Sequence, residues 1–230
     1  MMTNPESAQN ASLARLFRAM AALAVAKVVA NVVFSIITKT MVGFFGDIDT
    51  GILIGYHCFE VLVHYGIKIG LFVCLLAAAK HFRPSPTLPL LRAGGIVGVI
   101  GALLTLCILL FSTVYSYIDY TTASSDPSFS EEGFMKVLLI LCANPLSMTV
   151  LPKVDLAGLA LCAVYFFSHP VKTIRITAIA LAAALGMMVL LAFVPMDPSL
   201  GSRLSIILGF ASNLLTVVLF VTLAKSHTRS

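Results

Sequence analysis

Four ionisable side chains lie within one long apolar segment of the chain: His57, Glu60, His64 and Lys68. On an α-helix, their spacing brings all four onto one face, within about 80° of arc and along about 16 Å of the axis. A charged group at the centre of a bilayer costs at least about 2.5 kcal/mol, so such groups face one another, water or a ligand. Imidazole groups also exchange protons near neutral pH. This ionisable stripe therefore predicts a pathway for protons or a site for a small solute.

A purely structural role is the alternative interpretation of the ionisable stripe. Glu60, His64 and Lys68 are successive i, i+4 neighbours, so their side chains could pair along the helix. His57 and Lys68 could instead extend towards the two membrane surfaces. In either case the stripe would be a polar seam that binds no ligand.

Two polar residues of the first apolar segment, Lys27 and Asn31, extend the candidate site. Lys27 lies at the middle of that segment, from which a lysine side chain reaches the membrane surface poorly. We therefore expect Lys27 to pair within the bundle, and Glu60 is its candidate partner. Asn31 follows one helical turn later, so it belongs to the same predicted pathway.

Other small and polar residues are interpreted as contacts between helices. The face opposite the stripe carries three glycines, which would let another helix approach closely: Gly55, Gly66 and Gly70. Further small residues recur every four positions, as in Gly94 with Gly98, and could contact the same bundle, a partner membrane subunit or a second copy of the chain. Polar residues of the last apolar segment are interpreted as hydrogen-bonding contacts: Ser212, Asn213 and Thr216.

The composition places these residues in a membrane. The chain has 230 residues, of which 59% are hydrophobic and 11% charged, whereas a soluble domain has about 25% charged residues. Its surface must therefore contact the lipid bilayer. The net charge of +5 does not indicate nucleic-acid binding, because membrane proteins keep Lys and Arg on the cytoplasmic side for reasons of topology.

The apolar segments predict an all-α fold, a polytopic helical bundle with about six transmembrane helices. We expect a cytoplasmic N-terminal segment (1–16), one transmembrane bundle domain (17–224) and a cytoplasmic tail (225–230). The six segments, each near the roughly 20 residues that span a bilayer, are 17–37, 52–79, 91–118, 148–167, 174–194 and 204–223.

The distribution of charge predicts that both termini are cytoplasmic. Nine Lys and Arg residues and one acid, Glu6, fall on one side of the predicted spans. Eight acids and four basic residues fall on the other side. The localisation that we expect is a bacterial inner (plasma) membrane.

One apolar stretch is too short to cross the membrane. A Ser-x-x-Glu capping box, Ser128 to Glu131, begins a helix that the Asn144-Pro145 pair ends. About ten apolar residues rise only about 15 Å, half the hydrocarbon thickness. We therefore expect a short re-entrant or interfacial half-helix at about 131–144.

A transport function is the first hypothesis for such a chain. The protein would move a small solute, with or without coupled protons, or would be the membrane subunit of a transporter. The second hypothesis is an anchor or assembly subunit of a larger complex, such as a redox complex. Haem usually has an axial ligand on each side, and the remaining histidines lie at a different depth from His57 and His64. Haem or quinone would therefore require a partner chain, and we expect no cofactor in this chain alone.

A membrane-embedded enzyme is the third and least favoured hypothesis. The sequence contains no Gly-x-Ser-x-Gly or His-Glu-x-x-His motif, so we assign no catalytic residue. His57 and His64 lie about 10 Å apart along a straight helix and cannot both bind one metal ion. The five cysteines lie in apolar segments without a Cys-x-x-Cys pair, which is typical of buried structural residues. We therefore expect no metal site.

Overall fold

The computed structural model describes residues 5–42, 50–82, 84–122, 145–191, 193–194 and 197–228. Within these ranges the chain forms helices and no strand. The predicted half-helix at about 131–144 lies outside these ranges. Pro145, which was predicted to end it, is the first residue of the next described helix. The helices are α1 (Pro5–Val42), α2 (Thr50–Ala79), α3 (Leu88–Thr122), α4 (Pro145–Tyr165), a 3-10 turn (Phe166–Ser168), α5 (Lys172–Leu190) and α6 (Pro198–Thr228).

Five of these helices are long and apolar enough to cross a membrane: α1, α2, α3, α5 and α6. The predicted fold class, an all-α integral membrane protein, is therefore confirmed. The 21 residues of α4 have the length of a span, but its crossing, like the cytoplasmic position of both termini, stays a prediction. The helices extend beyond the predicted spans at most ends, most of all in α1, which begins at Pro5 rather than at residue 17.

The helices form a closed ring. Each helix packs against its neighbour in the chain, and α6 packs back against α1. The main apolar core lies at the end of the ring that we predict to be cytoplasmic, where Phe17, Phe166 and Phe220 are fully buried. A smaller cluster, Val61, Tyr65 and Ala102, joins α2 to α3 further along the bundle. The middle of the ring is therefore closed at one end by large apolar side chains.

Glycines bring α3 and α4 into backbone contact. A Cβ atom at Gly94 would lie 2.6 Å from the carbonyl oxygen of Gly158, and one at Gly158 would lie 2.6 Å from the backbone nitrogen of Gly98. At Gly101 a Cβ atom would lie 2.9 Å from the backbone nitrogen of Asp155. The prediction that Gly94 and Gly98 make close contacts is confirmed, and the contacts are inside the bundle.

The predicted packing face of α2 makes a close contact within the described residues at one of its three glycines. A Cβ atom at Gly55 or Gly66 would meet nothing within 4 Å among the residues that the structure describes, whereas one at Gly70 would contact Leu23 at 3.4 Å. Towards α3, α2 packs with larger side chains, such as Val61 and Tyr65. A small residue on a helix allows close approach but does not cause it.

Candidate functional site

The shortest ion pair in the described part of the chain joins α2 to α4. Lys68 Nζ lies 2.6 Å from Asp155 Oδ2, and the Asp155 side chain is only 2% exposed. The same ammonium lies 4.3 Å from the centroid of the Tyr65 ring, a cation–π distance. The other carboxylate oxygen, Oδ1, accepts a hydrogen bond of 2.9 Å from the backbone N–H of Leu156. Both the ammonium and the carboxylate of the pair therefore have a second partner.

The glycine contact between α3 and α4 positions Asp155. Gly158 follows Asp155 by three residues and therefore lies on the neighbouring part of the same helix face. Gly101 of α3 lies directly against the backbone of Asp155. Because the two helix backbones are this close, α3 holds the Asp155 backbone in the position from which its side chain reaches Lys68.

A small cavity lies beside this ion pair, between α1, α2, α4 and α6. Its volume is about 20 Å³, room for about one or two water molecules. The polar part of its lining consists of Lys27, Lys68, Asp155, Asn213 and Thr216. The rest of the lining is apolar and includes Leu71 and Phe72.

The polar lining lies near the middle of each helix. Lys27, Lys68 and Asn213 are close to the centres of the apolar helices Gln9–Thr40, Gly51–Ala79 and Ser199–Thr228. Asp155 is the central residue of α4 (Pro145–Tyr165). The cavity therefore lies near the middle of the length of these helices.

The charges around the cavity do not cancel. Lys68 and Asp155 neutralise each other, which leaves the ammonium of Lys27 without a carboxylate within salt-bridge distance in the described part of the chain. The Thr216 hydroxyl donates a hydrogen bond of 2.7 Å to the carbonyl oxygen of Ser212, so it has no further proton to donate to a ligand. The formal charge of these three ionisable groups is one positive unit when each is ionised.

The first three residues of the stripe form a separate group, nearer the start of α2 than Lys68. Glu60 Oε2 lies 3.5 Å from His57 Nδ1, and Glu60 Oε1 lies 3.9 Å from His64 Nε2. The His57 side chain is 53% exposed, and those of Glu60 and His64 are 24% and 20% exposed. The ring of His64 also packs against Phe34 of α1, with 5.3 Å between centroids.

The predicted pairing of Lys27 with Glu60 is not formed. Glu60 is occupied by the histidines one turn before and after it on its own helix, and Lys27 lines the cavity instead. Asn31 is exposed on α1 and is absent from the cavity lining. Of the six predicted residues, the structure thus brings Lys27 and Lys68 to the cavity and groups His57, Glu60 and His64.

Sequence reasoning missed Asp155, and it interpreted Asn213 and Thr216 as packing residues. The signal for Asp155 was its position. A helix that begins at Pro145 has residue 155 at its centre, whereas a span at 148–167 with a polar outer end places the same residue nearer the surface. Asn213 gave a weaker signal, because an amide in a membrane helix usually binds a neighbouring helix.

The described residues include no group of three or more His, Cys, Asp or Glu side chains that could hold a metal ion. Comparisons of the chain with protein-family models, with curated proteins and with solved structures give no match. The function must therefore be argued from the chemistry of the side chains themselves.

Proposed function

We propose that this integral membrane protein is a transporter, or the membrane subunit of one, for a small polar solute whose movement is coupled to protons. The observation that carries the proposal is the ion pair between Lys68 and Asp155, with 2.6 Å between Nζ and Oδ2. This pair lies beside a cavity that Lys27 also lines. Ionisable residues at this depth of a membrane mark solute and ion pathways more often than they stabilise the fold.

The energetics of a buried ion pair support a functional role. Two charges removed from water lose hydration that their mutual attraction only partly restores. Replacing such a pair by apolar residues of similar volume is often neutral or stabilising. Stability alone would therefore not require Lys68 and Asp155, which join two helices at the centre of the bundle.

The stripe residues provide the proposed route for protons. Glu60 lies between His57 and His64, and Lys68 follows His64 by one helical turn. Each of these groups can accept and release a proton, and successive groups are neighbours on one helix face. Protons would pass from the half-exposed His57 towards the buried pair.

The other two hypotheses remain predictions. A membrane anchor for a redox complex would need haem or quinone held together with a partner chain, and an enzyme would need a reactive group at the cavity. No contact in the described residues specifically favours either role. The bacterial inner membrane stays the proposed location, with partner subunits or a second copy as proposed partners.

Reconstituted vesicles test the transport proposal. Purified protein is placed in liposomes that contain a pH-sensitive dye, and the internal pH is followed after separate addition of chloride, formate, glycerol, glycine and potassium. We expect a solute-dependent pH change with at least one member of this series. Glu60→Gln should abolish the pH change, because the carboxylate that links the two histidines can no longer take up a proton.

Two further variants complete this experiment. Asp197→Asn changes an exposed carboxylate before α6, so it should leave the pH change intact. The double variant Lys68→Met/Asp155→Leu removes the ion pair as a unit, keeps the fold and should abolish the flux. Flux that is unchanged in both Glu60→Gln and the double variant would overturn the proposal.

A further inference from the structure

We infer that the solute is a small monovalent anion, bound at the cavity by the ammonium of Lys27 and the side-chain amide of Asn213. This inference rests on the proposed transport function, and it adds the class of substrate and the residues that select it. It is argued from three properties of the cavity: its charge, its hydrogen-bond donors and its size.

The charge of the lining favours an anion. Asp155 is already neutralised by Lys68 at 2.6 Å, so it offers little attraction to a second cation. Lys27 has no such partner in the described ranges, although it lines the same cavity. An ammonium at the centre of a membrane is costly unless a counter-charge accompanies it. One bound monovalent anion would make the lining electrically neutral.

The available donors also favour an anion. The Lys27 ammonium has up to three N–H donors and the Asn213 amide has two, and none of them is in a hydrogen bond with a described residue. The Thr216 hydroxyl donates its hydrogen bond to the carbonyl oxygen of Ser212. The carboxylate oxygens of Asp155 accept hydrogen bonds from Lys68 and Leu156 and have no proton to donate. The donors left for a ligand therefore come from Lys27 of α1 and Asn213 of α6, the helix that packs against α1.

The size and polarity of the cavity limit the anion. A volume of about 20 Å³ suits a ligand comparable to one or two water molecules, such as chloride or formate. The apolar part of the lining, including Leu71 and Phe72, gives no hydrogen bonds to a larger polar solute. A divalent anion would exceed the single unbalanced charge.

Thermal unfolding of the full chain in detergent tests binding. The Tm is measured with sodium chloride, sodium formate or sodium gluconate at one ionic strength, because a ligand of the folded state raises the Tm with its concentration. We expect a saturable increase with chloride or formate and none with gluconate, which is too large. Lys27→Gln should weaken this binding about tenfold or more, because a charge-assisted hydrogen bond is lost.

Matched variants separate binding from general effects of charge. Lys39→Gln removes an exposed lysine at the end of the same helix and should bind as the wild type does. Asn213→Leu, of similar volume, should weaken binding without changing the net charge. An equal anion response in the wild type, Lys27→Gln and Asn213→Leu would overturn the inference.

Flux of the same anions into vesicles separates the inference from the transport proposal. Chloride or formate flux that Lys27→Gln abolishes would support both. Saturable binding that depends on Lys27, with no flux of either anion, would support the anion site and count against transport. Proton-coupled movement of glycerol, glycine or potassium without Lys27-dependent anion binding would support transport and overturn the anion inference.

Discussion

The two groups of ionisable residues on α2 differ in where their partners come from. Glu60 contacts histidines of its own helix at 3.5 and 3.9 Å, and its side chain is 24% exposed. Lys68 contacts Asp155 of another helix at 2.6 Å, where the carboxylate is almost wholly buried. The first group can be read from spacing along one helix, whereas the second exists only because α4 is positioned against α2.

This difference has consequences for energy. Attraction between opposite charges increases as the distance and the effective dielectric constant fall. The Lys68–Asp155 pair should therefore be strong and fixed, and removal of one partner should be costly. The Glu60 contacts should be weak, which suits groups that exchange protons.

The largest predicted effect follows removal of the buried carboxylate. Asp155→Asn would leave the Lys68 ammonium buried without a counter-charge, and we expect the free energy of unfolding to fall by about 3–5 kcal/mol. Unfolding of the purified protein in detergent, by heat and by denaturant, measures this loss. Lys68→Met/Asp155→Leu should recover the wild-type stability. If Asp155→Asn lost less stability than Glu60→Gln, the two groups of ionisable residues would not differ as proposed.

The next effect concerns the glycine that positions Asp155. Gly158→Ala would place a Cβ atom 2.6 Å from the backbone nitrogen of Gly98, so α3 and α4 must separate. We expect a loss of about 1–3 kcal/mol, the usual cost of overpacking. Because separation also moves Asp155 away from Lys68, solute flux should fall as well.

A matched glycine of α5 provides the control. A Cβ atom at Gly186 would meet nothing within 4 Å among the described residues, so Gly186→Ala should leave unfolding and flux close to those of the wild type. Equal stability of Gly158→Ala and Gly186→Ala would show that the α3–α4 contact is not needed to hold the pair.

A smaller effect on stability is predicted for the first group. Glu60→Gln removes contacts that are long and partly exposed, so the free energy of unfolding should fall by about 1 kcal/mol or less. The same variant should abolish proton coupling, because the amide cannot take up a proton. Differential scanning fluorimetry and the vesicle assay measure the two effects on one preparation. A loss as large as that of Asp155→Asn would place Glu60 in a tightly paired network.

Sequence periodicity predicted the parts of this molecule that depend on one helix. The apolar lengths predicted the membrane helices, and the i, i+4 spacing predicted the contact of Glu60 with His64, although not the contact with His57 three residues earlier. Asp155 could not be assigned in this way, because its partner, Lys68, lies on a helix that is distant in the chain. Which helix faces which is decided by packing of the whole ring, and a single sequence does not contain that information.

The orientation of single polar residues was equally hard to predict. Lys27 and Asn31 are one turn apart on α1, and yet Lys27 lines the cavity whereas Asn31 is exposed. Their separation of four residues leaves them about 40° apart around the helix. A small rotation of α1 within the ring therefore decides which of them faces inwards, and no pattern in α1 determines that rotation.

Asp197, an exposed carboxylate, tests whether burial or the number of hydrogen bonds determines how much stability a carboxylate contributes. Asp197 precedes α6, and its Oδ1 accepts hydrogen bonds from the backbone N–H groups of Ser199 at 2.8 Å and Leu200 at 3.3 Å. It thereby satisfies N–H groups that a helix otherwise leaves without partners in its first turn. Hydrogen bonds from the Ser199 hydroxyl and from these backbone groups hold the pKa of Asp197 below its ordinary value.

Asp197 should therefore show the smallest effect, although its carboxylate has three hydrogen-bond partner groups and that of Asp155 has two. Because its folded pKa is depressed, its contribution to stability is present above the unfolded pKa and declines as the pH falls through the folded pKa. We expect Asp197→Ala to lower the Tm slightly at pH 7 and less at pH 3, whereas Asp155→Asn should lower it strongly at pH 7. Calorimetry at the two pH values measures both. If Asp197→Ala lost as much stability as Asp155→Asn at pH 7, the number of hydrogen bonds, rather than burial within the membrane, would set the cost of losing a carboxylate.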